Sequence, residues 1–292
     1  MEYIECLFVD ATVADTAPGP MPGVVHRSPA AAAAHAERRL GQGVSRFLVF
    51  GVPASKGLAI AARGDAVVPT FLRTTRERLG PDVGLIADVG LSPYTTDGHS
   101  VILGDDGVPD HERSYAAAAD LASAFAAAGA DTVAPCLSLP EQVGRIDDRL
   151  RRDDLAAAVM PYSAKFSSAL YGPYRAAVRS ALGSARKAYQ TDYSDIDKAR
   201  AQVGADIAQG AAEVIVKPAM LYLDVLQEVC RDSTAPVAAY HVSGEYLALI
   251  LAAEHGGMER QELFDEFHAA VRRCGADAVI GYAADDFLRS SG

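Results

Sequence analysis

Lysine and arginine together number 27 in this chain, and only five are lysines: Lys56, Lys165, Lys187, Lys198 and Lys217. Two of the five end aliphatic runs. Lys165 closes Val159-Met160-Pro161-Tyr162-Ser163-Ala164-Lys165, and Lys217 closes Val214-Ile215-Val216-Lys217 just before Pro218. A lysine at the end of a buried strand is partly desolvated, which lowers the pKa of its ammonium. The neutral amine that results can attack a ketone or aldehyde and form a Schiff base. The plainer reading of either residue is a surface lysine whose stem lies along apolar neighbours. Two such positions in a lysine-poor chain bring covalent carbonyl chemistry level with it.

The elements that must hold these lysines are short aliphatic strands alternating with alanine-rich helices. Strands are expected at 45–52, 84–89, 131–135, 157–163, 186–190, 213–218, 237–242 and 277–282. Helices are expected at 69–79, 111–128, 141–150, 172–182, 194–209, 222–230, 245–254 and 260–273, with Ala30–Ala34 inside an earlier one. AGADTVAP, QGAAEVIVKP and CGADAVIGY share one design: a helix stops at glycine, and a continuous apolar run follows. Such runs suit parallel strands buried on both faces. Strand candidates about 36 residues apart point to an α/β fold, a (β/α)8 TIM barrel, whose strand ends carry the catalytic face. The expectation is one barrel domain over 1–292, with 1–23 a short N-terminal arm and loop that includes a brief strand at 6–9. An open doubly wound sheet is the alternative, and no GxGxxG supports its dinucleotide form.

Composition removes other classes. The net charge is −11, which argues against a nucleic-acid footprint. No apolar run reaches the ~18 residues of a membrane span. The N-terminus, MEYIECLFVD, does not read as a secretory signal. The four cysteines, Cys6, Cys136, Cys230 and Cys274, lie far apart, which fits free thiols in a reducing cytoplasm and no structural zinc site. No cofactor is expected.

YSAKFSSALYGPYR, RKAYQTD, VIVKPAMLYLD and AAYHVSGEY, in that order, resemble the porphobilinogen synthase (5-aminolevulinate dehydratase) family over roughly nine-tenths of the chain. That resemblance implies a (β/α)8 barrel. It also implies condensation of two 5-aminolevulinates into a pyrrole, with both substrates held on lysines. It makes Lys217 the primary Schiff-base lysine, at the P site, and Lys165 the second, on the A side. Ser243 and Tyr282 match the binders of the P-site carboxylate. Arg175, Arg186 and Gln190 match a carboxylate clamp under a lid. Tyr162 and Tyr240 become walls around the P-site imine, although core packing also accounts for them.

Several positions depart from the family pattern. Zinc-dependent members carry cysteines where this chain has Gly90, Ser92 and Ser100. Glycine offers no ligand and serine is a poor one, so no metal is expected. Leu137 and Pro140 stand in place of two aspartates, with Cys136 and Glu141 as substitutes only if the loop has moved. Gln202 replaces the glutamate of an outer magnesium site. His241, in place of the usual glutamine, reads either as a proton carrier in the substrate site or as a hydrogen-bonded supporting residue. The main expectation is a condensing dehydratase acting on 5-aminolevulinate or a similar small amino keto acid, in a specialised biosynthetic pathway. The alternatives are a metal-independent porphobilinogen synthase of tetrapyrrole biosynthesis and a non-catalytic ligand-binding pseudoenzyme. The expected partners are that small molecule and further copies of the chain, from a dimer to an octamer, with no nucleic acid and no membrane. The expected location is the cytoplasm.

Overall fold

The structure is a computed structural model that describes residues 1–181 and 189–290. Its centre is a curled parallel sheet. From one end the strands are Ala164–Lys165, Val214–Lys217, Val237–Tyr240, Ala278–Gly281, Glu2–Asp10, Arg46–Val52, Gly84–Val89, Thr132–Pro135 and Ala158–Val159. Helices on the outside cover it, among them Pro29–Leu40, Val67–Leu79, His111–Ala127, Ile196–Ala208 and Arg260–Arg273.

The expected closed barrel is corrected to an open, curled sheet. The two end strands, Ala158–Val159 and Ala164–Lys165, are neighbouring stretches of one segment, and the ladder does not run through them. Pro161 lies between them and has no N–H to give a ladder, which is where the pairing breaks. Two bonds still cross the join, from Ala212 N to Val159 O (2.9 Å) and from Ile215 N to Pro161 O (3.0 Å).

The strand at 2–10 also corrects the reading of 1–23 as an arm. It pairs in parallel with Ala278–Gly281 on one side and Arg46–Val52 on the other, so it is a central strand. Its residues alternate between two apolar layers, Ile4, Cys6 and Phe8 facing inward and Leu7 and Val9 facing the helices. Of the strand expected at 186–190, residues 186–188 lie outside the described residues. Tyr189 and Gln190 are in a turn and a bend.

The same alternation decides which side chains reach the inside. Ile86, Ala134, Ile215, Ala238 and Ile280 face inward. Two residues on from each stand Asp88, Cys136, Lys217, Tyr240 and Tyr282, at the carboxyl ends of their strands.

Candidate active site

Lys165 and Lys217 are direct register partners on adjacent strands, so both amines enter the same space. Both are buried, at 4% and 5% exposure. The Lys217 Nζ lies over four phenol rings, 4.4 Å from the centroid of Tyr240, 4.6 Å from Tyr162, 5.2 Å from Tyr171 and 5.3 Å from Tyr174. Burial is the largest influence on it and holds its ammonium below the ordinary lysine range. Lys165 pushes the same way, while Cys136 and Asp88 oppose. The shift enlarges the neutral, nucleophilic fraction of the amine. The Lys165 Nζ donates to the carbonyl of Cys136 and to its Sγ, each at 2.8 Å.

The cleft around the amines has an empty volume of about 430 Å³ and is lined by Ser92, Ser100, Cys136, Arg175, Gln190 and both lysines, among others. Arg175 and Gln190 are thus brought together with the lysines, whereas Arg186 lies outside the described residues. The Tyr282 and Tyr240 hydroxyls are 3.0 Å apart, and the Cys6 thiol donates to Tyr240 Oη at 3.4 Å. Ser243 opens the helix Ser243–Gly256 and holds the segment above it: its Oγ accepts from Tyr174 N (3.0 Å) and donates to Leu170 O (3.2 Å). Gly244 is needed for this approach, since a Cβ there would lie 2.5 Å from Leu170 O.

Two residues of this neighbourhood were missed in the sequence. Asp88 is buried, with Oδ1 accepting from Tyr162 Oη (2.8 Å) and Oδ2 from Gly90 N (3.1 Å). Burial drives its carboxyl upward, and Lys217 and Tyr162 counteract this. Its place two residues after inward-facing Ile86 was the available signal. Glu245 is buried and accepts from the backbone N–H groups of Val242 and Met220, at 3.0 and 2.8 Å. It ties the turn after Lys217 to the helix start.

His241 is a correction. It follows inward-facing Tyr240 by one residue and so points to the other face of the sheet. Its ring stacks on Phe267 with centroids 4.1 Å apart, and burial pushes its pKa down to about 3. It is a neutral packing residue, neither in the cleft nor a proton carrier at neutral pH. Glu141 is likewise no substitute for the lost aspartates, because it is spent on Arg145 at the surface (2.8 Å).

The loop after Cys136 hangs on a buried polar cluster. Gln142 Oε1 accepts from Leu137 N and Ser138 N (3.2 and 3.3 Å), and its amide donates to Asp206 (3.1 Å). Gln202 donates to Asp206 (2.9 Å) and to Leu139 O (3.3 Å). Burial raises the Asp206 carboxyl from 3.8 to about 6. A raised carboxyl contributes stability that is complete below about pH 4 and is lost as pH rises through 6. Asp206→Asn removes that titration. Relative to the parent, the variant should gain on the order of 3 kcal/mol in unfolding free energy between pH 4 and pH 8. Denaturant titrations at both pH values measure it, and parallel pH dependences would contradict the assignment.

The family model for delta-aminolevulinic acid dehydratase matches residues 1–290. The chain belongs to the delta-aminolevulinic acid dehydratase family. The delta-aminolevulinic acid dehydratase of Streptomyces coelicolor is 35% identical over 297 residues, covering 99% of this chain and 89% of the relative. That of Mycobacterium tuberculosis H37Rv is 36% identical over 271 residues, covering 91% and 82%. A crystal structure of the delta-aminolevulinic acid dehydratase (porphobilinogen synthase) of Toxoplasma gondii ME49, in complex with the product porphobilinogen, superposes with a TM-score of 0.93. It is 32% identical and covers 99% of this chain and 84% of that one. Membership in the dehydratase family makes the chain a porphobilinogen-synthase-like lyase that works through Schiff bases.

The zinc of some dehydratases does not fit the residues here. Gly90 has no side chain to offer a ligand, and the Asp88 carboxylate beside it is taken up by Tyr162 Oη and Gly90 N. Ser92 and Ser100 offer only hydroxyls, which bind zinc poorly at neutral pH. Among the described residues no group of three or more His, Cys, Asp or Glu could hold a metal ion. No described helix is long and apolar enough to cross a membrane.

Proposed function

We propose that this chain is a metal-independent porphobilinogen synthase, condensing two molecules of 5-aminolevulinate into a pyrrole with loss of two waters. The observation that carries this reading is the pair of buried lysines in register at one strand end, with Lys217 desolvated among four phenol rings. Lys217 captures the first ketone. The surrounding rings exclude water from the imine. Tyr282 and Ser243 receive that substrate's carboxylate, exchanging their present bonds to Tyr240 and Leu170 for bonds to the ligand. Arg175 grips the second carboxylate with its planar fork, and Gln190 supports it. Lys165 takes the second carbonyl. No step needs a metal ion in the role of carbonyl activator, because the imine itself supplies the electrophile.

The same reading includes a homo-oligomer between a dimer and an octamer, one functional unit over the whole chain, and work in the cytoplasm. Leu137 and Pro140, without carboxylates, favour a second reading: a related amino keto acid as one substrate, in a specialised pathway. Product analysis decides between them. Incubation with 5-aminolevulinate alone should yield porphobilinogen, and dialysis against a strong chelator should leave that rate within twofold. A different product would support the second reading. A rate lost on chelation and restored by zinc would overturn the metal-independent assignment.

A further inference from the structure

Cys136 follows the strand Thr132–Pro135 and faces inward with Ala134. Its Sγ and its carbonyl oxygen both lie 2.8 Å from the Lys165 Nζ. The backbone that carries it is fixed by Gln142, which takes the next two N–H groups and is itself held by Asp206. Ser138, at φ 61, makes the left-handed turn that lets the chain fold back to Gln142. Thiol and amine therefore meet through a positioned loop and not through a flexible side chain at the surface.

Other proton carriers in the cleft are committed or unsuited. Asp88 is engaged by Tyr162 and Gly90. The phenols of Tyr162, Tyr171 and Tyr174 are driven well above their ordinary range by burial. Tyr189 is pushed up to about 12. Lys217 and Arg175 line the same cleft. Leu137 and Pro140 have no proton to give.

We propose that Cys136 is a catalytic acid and base for Lys165, its thiol and the lysine amine exchanging the proton that carbonyl capture requires. This rests on the reading of Lys165 as the second carbonyl-capturing amine. The amine forms the N–C bond, and its proton passes through sulfur to the former carbonyl oxygen. The thiol then gives its proton to the hydroxyl as the C–O bond breaks, releasing water and leaving an iminium beside a thiolate. The thiolate takes a proton from the carbon next to the iminium, which gives the enamine and restores the thiol. No oxidant or reductant is consumed.

Two arms test this. The first uses no substrate: the rate of carbamidomethylation of Cys136 by iodoacetamide at neutral pH is followed, peptide by peptide, in the parent and in Lys165→Met. The rate should fall severalfold in the variant, since the amine that exchanges a proton with the thiol is gone. An unchanged rate overturns the proposal. In the second arm, Cys136→Ala should lower kcat for 5-aminolevulinate by roughly 10²-fold with KM little changed, and borohydride should still trap substrate on Lys217. Cys136→Ser should stay slow, because its hydroxyl does not ionise in this range, and should lose the pH dependence set by the thiol. Parental rate and pH profile in either variant overturn the proposal, serine by showing that only packing matters. A parent inert toward 5-aminolevulinate would count against the proposed substrate, and the alkylation arm would still decide on the thiol–amine pair.

Discussion

Lys217→Ala is expected to lower kcat by roughly 10⁴-fold or more, with an unchanged circular dichroism spectrum. The size follows from where the amine stands. It is buried, surrounded by four ring faces, and held below the ordinary lysine range chiefly by desolvation. Among the described residues no other amine is placed to take over its task. Lys165 is anchored by two bonds to Cys136, and the remaining described lysines lie elsewhere: Lys56 donates to Pro93 O (2.6 Å), and Lys198 is in the helix Ile196–Ala208. Steady-state turnover of 5-aminolevulinate, measured as pyrrole formed, reads the effect. Activity within tenfold of the parent would show that the first imine forms on another group.

Asp88→Asn should lower kcat by about 10²-fold and move the acidic limb of kcat/KM to lower pH. The carboxylate does two things. It accepts the Tyr162 hydroxyl and the Gly90 N–H, fixing one wall of the imine pocket. It also favours the charged form of Lys217, raising that ammonium against the effect of burial. Asparagine keeps the shape but removes the charge, so Lys217 becomes neutral at a lower pH and the iminium loses its counter-ion. A merely structural aspartate would lower the rate without moving the limb. A pH–rate series from about pH 5 to 10 on both proteins separates the two.

Much of this site was legible in the sequence because its two lysines stand at the ends of short buried strands, Ala164–Lys165 and Val214–Lys217, a pattern that burial and strand direction make informative. The alternation of inward and outward residues accounts for what was read well and what was not. Tyr162, Tyr240 and Tyr282 fall on the inward parity and were recognised from their motifs. His241 falls one residue off it, and its chemistry drew more attention than its parity. Asp88 carries no such motif signal, because the segment that follows it stands out in sequence only for its absent cysteines. The N-terminal strand was taken for part of an arm, since Pro/Gly-rich 16–23 suggested a loop before the fold began, while Glu2–Asp10 is paired on both sides. The break in the sheet follows from Pro161, whose missing N–H was visible in the sequence but whose position at the join was not.

The most direct measurement is borohydride reduction of the enzyme during incubation with 5-aminolevulinate, followed by peptide mapping. The adduct is expected on the peptide that contains Lys217, with a second on Lys165 at high substrate. An intact, folded enzyme that makes pyrrole while Lys217 stays unmodified would contradict the account.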